Sequence, residues 1–467
     1  MKKISLYIFM ILTILLTTYF SMSHFVGKKG SLNSFKNLFS QDQKHFIKKY
    51  FFPYKTLSIL EKNYKGLLVQ QYKLLDDIIQ INPSYLELTF KQTQNNILTN
   101  KVESVELSNG YTLLKYKLKQ GFYAGIFNNI PGSGYIDFYL NDLIILSSRG
   151  ILAFSTNIND QLKFEQIKNN INDFIGLKQF EKWLYFSLKG FIIYNEKIFI
   201  SYTEEIEPDC WNTSVISGEM NYNEIEFKKL FSSKDCIHSS KNIDKDFSAH
   251  AAGGEIIILD DNHILLSVGD YKNRYLVQDK TKINGKIIKI NINNSDYEIL
   301  SMGHRNPQGL YLDKENNFIL ETEHGPMGGD EINLIEIDKI NKNKIQNYGW
   351  PITSAGEHYG GKVKKNKLKY EKYPLYKSHS KYGFIEPLIS FVPSIAISKI
   401  TKIDKDRYVV GSMKDKSLYF FKLNDEQKII ELNRVEVYER VRDMIFRDNK
   451  LFLFLEDSPS IGIISIL

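Results

Sequence analysis

Three short segments set polar, hydrogen-bonding side chains beside glycines. The first is Ala249-His250-Ala251-Ala252-Gly253-Gly254-Glu255, which runs on to Val268-Gly269-Asp270. The second is Gly303-His304-Arg305-Asn306-Pro307-Gln308-Gly309. The third runs from Glu321 through His324-Gly325-Pro326 to Asp330-Glu331-Ile332-Asn333 and is followed by Asn347-Tyr348-Gly349-Trp350-Pro351. Bare glycine backbone lets a ligand approach closely. Histidine titrates near neutral pH and serves as a proton acceptor, while arginine forks meet carboxylates bidentately. Each residue also has an ordinary reading. A single histidine in a β-turn is most often a surface or capping residue, a description that covers His304 and His324. Arg440 and Arg442 alternate on a strand and would share one solvated face. Gly-Asp and Asp-Glu pairs are common turn chemistry. The joint occurrence is what carries information.

The strings GHRNPQG, EHGPMGGDEIN and NYGWP, in this order, closely resemble the soluble quinoprotein glucose dehydrogenase and aldose sugar dehydrogenase family. Its members are six-bladed β-propellers that use pyrroloquinoline quinone (PQQ) and calcium. The resemblance runs from His250 to the C-terminus, and more loosely back to Phe122. It implies that His250 is the base taking the proton of a sugar's anomeric hydroxyl as hydride passes to the quinone, and that Asp270 orients and polarises this histidine. Arg305 and Asn306 would contact the quinone oxygens, the arginine stabilising developing negative charge. Ser394, Lys414, Arg440 and Arg442 match further cofactor contacts. The carbonyls of Gly325 and Pro326 match those on a cofactor-bridging calcium, and Glu331 and Tyr348 match ligands of a second, structural calcium. A tricarboxylate cofactor suits a pocket holding Lys414, Arg440 and Arg442 beside Arg305, and calcium takes oxygen ligands, backbone carbonyls included. The chain departs from the family pattern at Ala249, Glu255, Val392 and Leu188-Lys189-Gly190, which concern substrate contacts more than cofactor contacts. The expected activity is PQQ-dependent oxidation of an aldose or related sugar, with a quinone or cytochrome as onward electron acceptor. The alternative is a non-catalytic propeller that binds a glycan or a protein partner.

Such residues need a scaffold that brings distant segments together. Short runs rich in Ile, Leu, Tyr and Phe alternate with Asn, Asp and Gly turns: Tyr135 to Leu146, Phe191 to Tyr202, Glu255 to Val268, Lys286 to Ile290, Phe318 to Glu321, Tyr408 to Ser412, Leu418 to Leu423 and Leu451 to Leu455. Many strands without long intervening helices predict an all-β architecture. The stretch is too long for one sandwich. Radial blades of about 50 to 60 residues protect strand edges and give about six repeats. A six-bladed β-propeller is therefore expected over 85–467.

Ahead of it, Leu60, Tyr64, Leu67, Leu68, Tyr72, Leu75 and Ile79 recur at helical spacing and predict a helical stalk or linker over 27–84, stopped at Asn82-Pro83. Lys2 and Lys3 precede an apolar run from Ile4 to Phe20, so 1–26 reads as a signal peptide or a membrane anchor. Either places the bulk of the chain on the periplasmic or extracellular side. Cys210 and Cys236 are the only cysteines of the 467 residues, and in an oxidising compartment a disulfide is expected; two unpaired thiols are the alternative. Hydrophobic residues at 43% and charged residues at 25% exclude wholesale disorder. The net charge of +7 is thin and spread along the chain, which excludes nucleic acid as a partner.

Overall fold

The structure is a computed structural model. It describes Tyr64, Gly66, Leu67 and residues 98–118, 133–156, 162–182, 186–340 and 345–466. The expected signal or anchor over 1–26 and nearly all of the expected stalk over 27–84 lie outside the described residues. Among the described residues no helix is long and apolar enough to cross a membrane.

Strands dominate from Leu98 onward and form six antiparallel-cored sheets. Their innermost strands are Gly134–Tyr139, Leu188–Tyr194, Gly253–Asp260, Pro307–Asp313, Ile397–Asp404 and Val441–Arg447, for blades 1 to 6 in chain order. Each inner strand lies against the next, and the last lies against the first, so the six close a ring about one axis. This is the expected six-bladed propeller. Three runs that read as single apolar stretches are hairpins, because turns interrupt them. Phe191 to Tyr202, for example, folds at Asn195 and Glu196, with φ of 44° and 61°, the left-handed pair that matches strand twist.

The ring closes by mixing the two ends of the described chain. Thr112–Leu118 pairs antiparallel with Ser460–Ser465, in register from Leu113 opposite Ile464 to Lys117 opposite Ser460. Leu98–Glu106 then covers the outer edge of this sixth blade. Apolar faces of neighbouring blades interdigitate. Leu143 and Ile145 of blade 1 pack with Phe452, Phe454, Ile461 and Ile463 of blade 6, all buried. Phe318, Leu320 and Ile332 of blade 4 pack in the same way on Ile397, Ile400 and Val410 of blade 5.

Cys210 and Cys236 are bonded, with Cα atoms 5.3 Å apart. The bond staples the short strand Ile237–His238 to Cys210–Glu219, where His238 already pairs with Cys210. The cross-link spans a sequence separation of 26 and restricts the unfolded chain. Reduction should therefore lower unfolding free energy by about 2–4 kcal/mol in denaturant titrations. An unchanged midpoint under reducing conditions would contradict this.

Candidate active site

Residues from five inner strands line one axial cavity, among them Tyr135, Lys189, Glu255, Gln308 and Arg442, with His250 in its wall. Blade 5 joins through Lys399, whose ammonium pairs with Glu255. His250 sits on the single turn Ala249–Ala251 that leads into blade 3. No helix holds this turn; backbone bonds do. Gly269 N–H donates to the Ala252 carbonyl at 2.7 Å, Tyr271 N–H to the Ala251 carbonyl at 2.9 Å and Ser248 N–H to the Tyr271 carbonyl at 3.0 Å. From the other side, Asn306 Nδ2 donates to the His250 carbonyl at 3.3 Å and its Oδ1 accepts Gly253 N–H at 3.1 Å. Burial, followed by His324, Lys189, Arg442 and Arg305, holds the His250 pKa well below its ordinary value. The imidazole is thus neutral near pH 7 and able to accept a proton.

His304 and His324, which read as turn residues, are both buried instead. The His324 ring lies 6.3 Å from that of His250. Its Nε2 meets the Ile397 carbonyl at 2.7 Å, which requires that nitrogen to carry the proton, and burial brings its pKa down to about 4. Lys189 is lowered to about 7 by burial and then by Arg442, so it changes charge near neutral pH.

Asp270 departs from its expected role on the His250 ring. Its Oδ1 accepts Lys272 N–H at 2.7 Å and its Oδ2 accepts the Trp350 indole at 2.8 Å. Asp270 reaches His250 through the backbone: its turn is the one that clamps residues 248–252. Burial raises its pKa, partly offset by Arg305 and Arg274. Arg305 lies over the Trp350 ring at 5.5 Å and donates from Nη1 to the carbonyls of His324 and Gly325, at 2.7 and 2.5 Å. Arg440 and Arg442 do not share a solvated face. Both converge on one carboxylate, Glu456, with Nε to oxygen distances of 2.9 and 2.6 Å. Burial pushes Glu456 up, and Arg442 and Arg440 more than offset it, leaving the carboxylate below its usual range. Arg442 Nη1 also donates to Gln308 Oε1 at 3.2 Å. Glu456 carried no motif signal. Gln308, His324 and Trp350 lay inside the conspicuous strings, which is where a signal for them existed.

The donor set suits a polyanionic ligand. Arg305, Arg442 and Lys189 surround His250, and Ser394 Oγ is buried without a hydrogen-bond partner. Lys414 carries an exposed side chain, while its backbone N–H is tied to the Ile395 carbonyl at 2.9 Å, next to Ser394. Of the residues matched to calcium, the Gly325 carbonyl accepts Arg305 Nη1. The loop it belongs to is tight: a Cβ on Gly325 would meet the Gly329 carbonyl at 1.9 Å, so only glycine fits. Glu331 is buried, and burial together with the Glu323 charge holds its carboxyl well above the usual range, a penalty that a cation would relieve. The Tyr348 hydroxyl donates to the Leu334 carbonyl at 2.6 Å.

The family model of Glucose / Sorbosone dehydrogenase matches residues 191–464, more than half of the chain. The chain belongs to this family. Aldose sugar dehydrogenase YliI of Escherichia coli (strain K12) is 25% identical over 290 residues, covering 56% of this chain and 71% of the relative. A Synechocystis protein is 29% identical over 222 residues, and the match spans 41% of this chain and half of that relative's length. Among solved structures, the apo form of the soluble aldose sugar dehydrogenase from Escherichia coli superposes with a TM-score of 0.57 at 20% identity, covering 72% of this chain and 96% of the other. The PQQ-bound form of aldose sugar dehydrogenase from Streptomyces coelicolor does so with a TM-score of 0.50 at 15% identity, covering 69% and 90%. These structural likenesses establish the propeller fold.

The neutral histidines set an acid limit on this glucose/sorbosone dehydrogenase relative. His324 has a folded pKa of about 4 against an unfolded value of 6.5, so the unfolded chain binds more protons between them. Its contribution to stability is therefore lost as pH falls from 6.5 toward 4. His324→Gln should flatten this part of the melting temperature against pH curve, and an unaltered slope would show that His324 is not held neutral.

Proposed function

We propose that the chain catalyses PQQ-dependent oxidation of an aldose or related sugar, with His250 as general base. The observation that carries this reading is a neutral imidazole in an axial cavity, surrounded by Lys189, Arg305 and Arg442. Membership of the family, the aldose sugar dehydrogenase relative and the PQQ-bound structure of the same fold support it. The bound quinone would supply the two-electron acceptor that no side chain offers. Arg305, Arg442 and Lys189 would balance its carboxylates, with Asn306, Ser394, Lys414 and Arg440 as further contacts. His250 would accept the substrate hydroxyl proton at an imidazole nitrogen. The Asp270 turn and Asn306 hold the backbone that carries this ring, without placing a carboxylate against the imidazole.

Calcium would be held by the carbonyls of Gly325 and Pro326 and, at a second position, by Glu331 and Tyr348. The apolar run in 1–26 would export or anchor the chain, so that it works at the periplasmic or extracellular face beside a quinone or cytochrome acceptor. The disulfide supports an oxidising compartment.

Two variants separate catalysis from binding. His250→Gln should retain the quinone and lose about 10²–10⁴-fold in turnover. Arg442→Ala should fail first in quinone loading and recover in part with excess quinone. Equal loss of quinone binding in both would make His250 structural. Full activity in His250→Gln would favour the non-catalytic, glycan- or protein-binding propeller. Calcium-selective chelation should release quinone and lower the melting temperature, because a ligand bound only to the native state stabilises it by mass action. An unchanged melting curve would remove calcium from the mechanism.

A further inference from the structure

Blade 4 contains a second convergent polar group, away from the cavity wall. Glu321 and Glu323 alternate on the strand Phe318–Glu323 and so face the same side. Asn333 stands directly opposite Glu321 on the neighbouring strand Asp330–Glu336. His304 enters from the crossing between blades 3 and 4, between the strands Tyr297–Met302 and Pro307–Asp313. Its Nδ1 lies 3.7 Å from Glu321 Oε2 and 3.7 Å from Glu323 Oε1. The Asn333 amide reaches the same two oxygens, at 2.9 and 3.2 Å.

His304, Glu321 and Asn333 are fully buried and Glu323 is 3% exposed. Three atoms in this group have no hydrogen-bond partner: His304 Nδ1, Glu321 Oε1 and Asn333 Oδ1. Among the described residues, the ion-pair contact of Glu321 and Glu323 is His304, not a lysine or arginine. Two carboxylates, an imidazole nitrogen and an amide therefore converge on one buried centre that holds no cationic side chain among the described residues, with Glu331 beside it opposite Glu323. Buried charge of this kind is ordinarily paired or coordinated.

We propose that His304 Nδ1, Glu321, Glu323 and Asn333 form a structural site for a divalent transition metal of the zinc class, adjoining the calcium position at Glu331 and Tyr348, since Glu331 stands opposite Glu323 and Tyr348 stacks on His304. The donor chemistry selects the metal. Calcium takes oxygen ligands, whereas zinc combines imidazole nitrogen with carboxylate oxygen in four-coordinate sites. Nδ1 lies 3.7 Å from both carboxylate oxygens and the Asn333 amide 2.9 and 3.2 Å from them, on either side of the edges of about 3.3–3.6 Å that a tetrahedron around zinc at about 2.0–2.2 Å requires. Turning the Asn333 amide over, an assignment set by its partners, aims Oδ1 at the same centre. The ring is already oriented for this task. Ser301 Oγ holds His304 Nε2 at 2.8 Å and Tyr348 stacks on the imidazole at 4.9 Å, which leaves Nδ1 as the ligand. Glu323 uses its other oxygen to accept the Arg305 backbone N–H. A metal here would brace the strand end that fixes the active-site arginine.

The proposal does not depend on the quinone reading, and its test does not use turnover. The full chain is equilibrated with Zn²⁺ or Co²⁺ in the presence of calcium, freed of loose metal, and measured by elemental analysis and, for cobalt, visible absorption. One tightly held Zn²⁺ or Co²⁺ per chain is expected, with the intense d–d bands of four-coordinate cobalt. His304→Gln and Glu321→Gln should lose the transition metal and keep their calcium, and Glu331→Gln should do the reverse. Wild-type chain that retains no stoichiometric Zn²⁺ or Co²⁺ overturns the site, and the two carboxylates then share a proton instead. Full retention in Glu321→Gln would overturn it as well. If either variant fails to fold, the wild-type stoichiometry and cobalt spectrum decide.

Discussion

Closure of the ring is the constraint on which the rest of the molecule depends. The pairing of Thr112–Leu118 with Ser460–Ser465 joins segments more than 340 residues apart and turns a row of sheets into a closed propeller. Without it, blade 6 would expose a strand edge and the first and last blades would lose the apolar layer built from Leu143, Ile145, Phe452 and Phe454. Tyr135, Lys189, Glu255, Gln308 and Arg442 come from five different blades and meet only because the inner strands surround one axis. The hydrophobic layers between blades are thus what assembles the polar chamber.

Charge inside that chamber is balanced in a particular way. Arg440 and Arg442 share Glu456, and Lys399 is paired with both Glu255 and Asp443, so three cations face three carboxylates. Removing one partner of such a buried set leaves an unpaired charge, which costs more than the intact pairing contributes. Lys189 and Arg305 add positive charge beside His250. Burial first, and this positive charge after it, keep the histidine neutral, and the charge also suits an anionic ligand. On the proposed reading, one electrostatic feature would serve both proton acceptance and ligand attraction.

The Asp270 turn shows how backbone can replace a side-chain contact. Had the Asp270 carboxylate engaged His250, it would have stabilised the charged imidazole. In this structure the carboxylate serves Trp350 and the Lys272 N–H, and the His250 turn is clamped by peptide groups. Trp350 in turn lies under Arg305, so Asp270, Trp350 and Arg305 form one packed series behind the site. On the blade 4 side, Glu323 contacts the Arg305 backbone and faces His304, which links Arg305 to the buried polar group of that blade.

Alternating apolar runs and turn residues were enough to specify strands and an all-β architecture of about six repeats, because side-chain period and loop chemistry are local properties, while the six-bladed ring came with the family resemblance. The three glycine-flanked strings, taken in order, were enough to indicate the family and to single out His250, Arg305 and Asn306 as candidates, and the resemblance added Arg442 further along the chain. The two cysteines were enough to suggest their bond. What only the tertiary structure decided are contacts across the ring and between strands. These are Glu456 beneath the arginine pair, Trp350 on Asp270, His324 beside His250, and Glu321 and Glu323 meeting His304. A two-residue period assigns each side chain to a face of its own strand. It carries no information about which distant residue will stand opposite that face once the blades have closed around their axis.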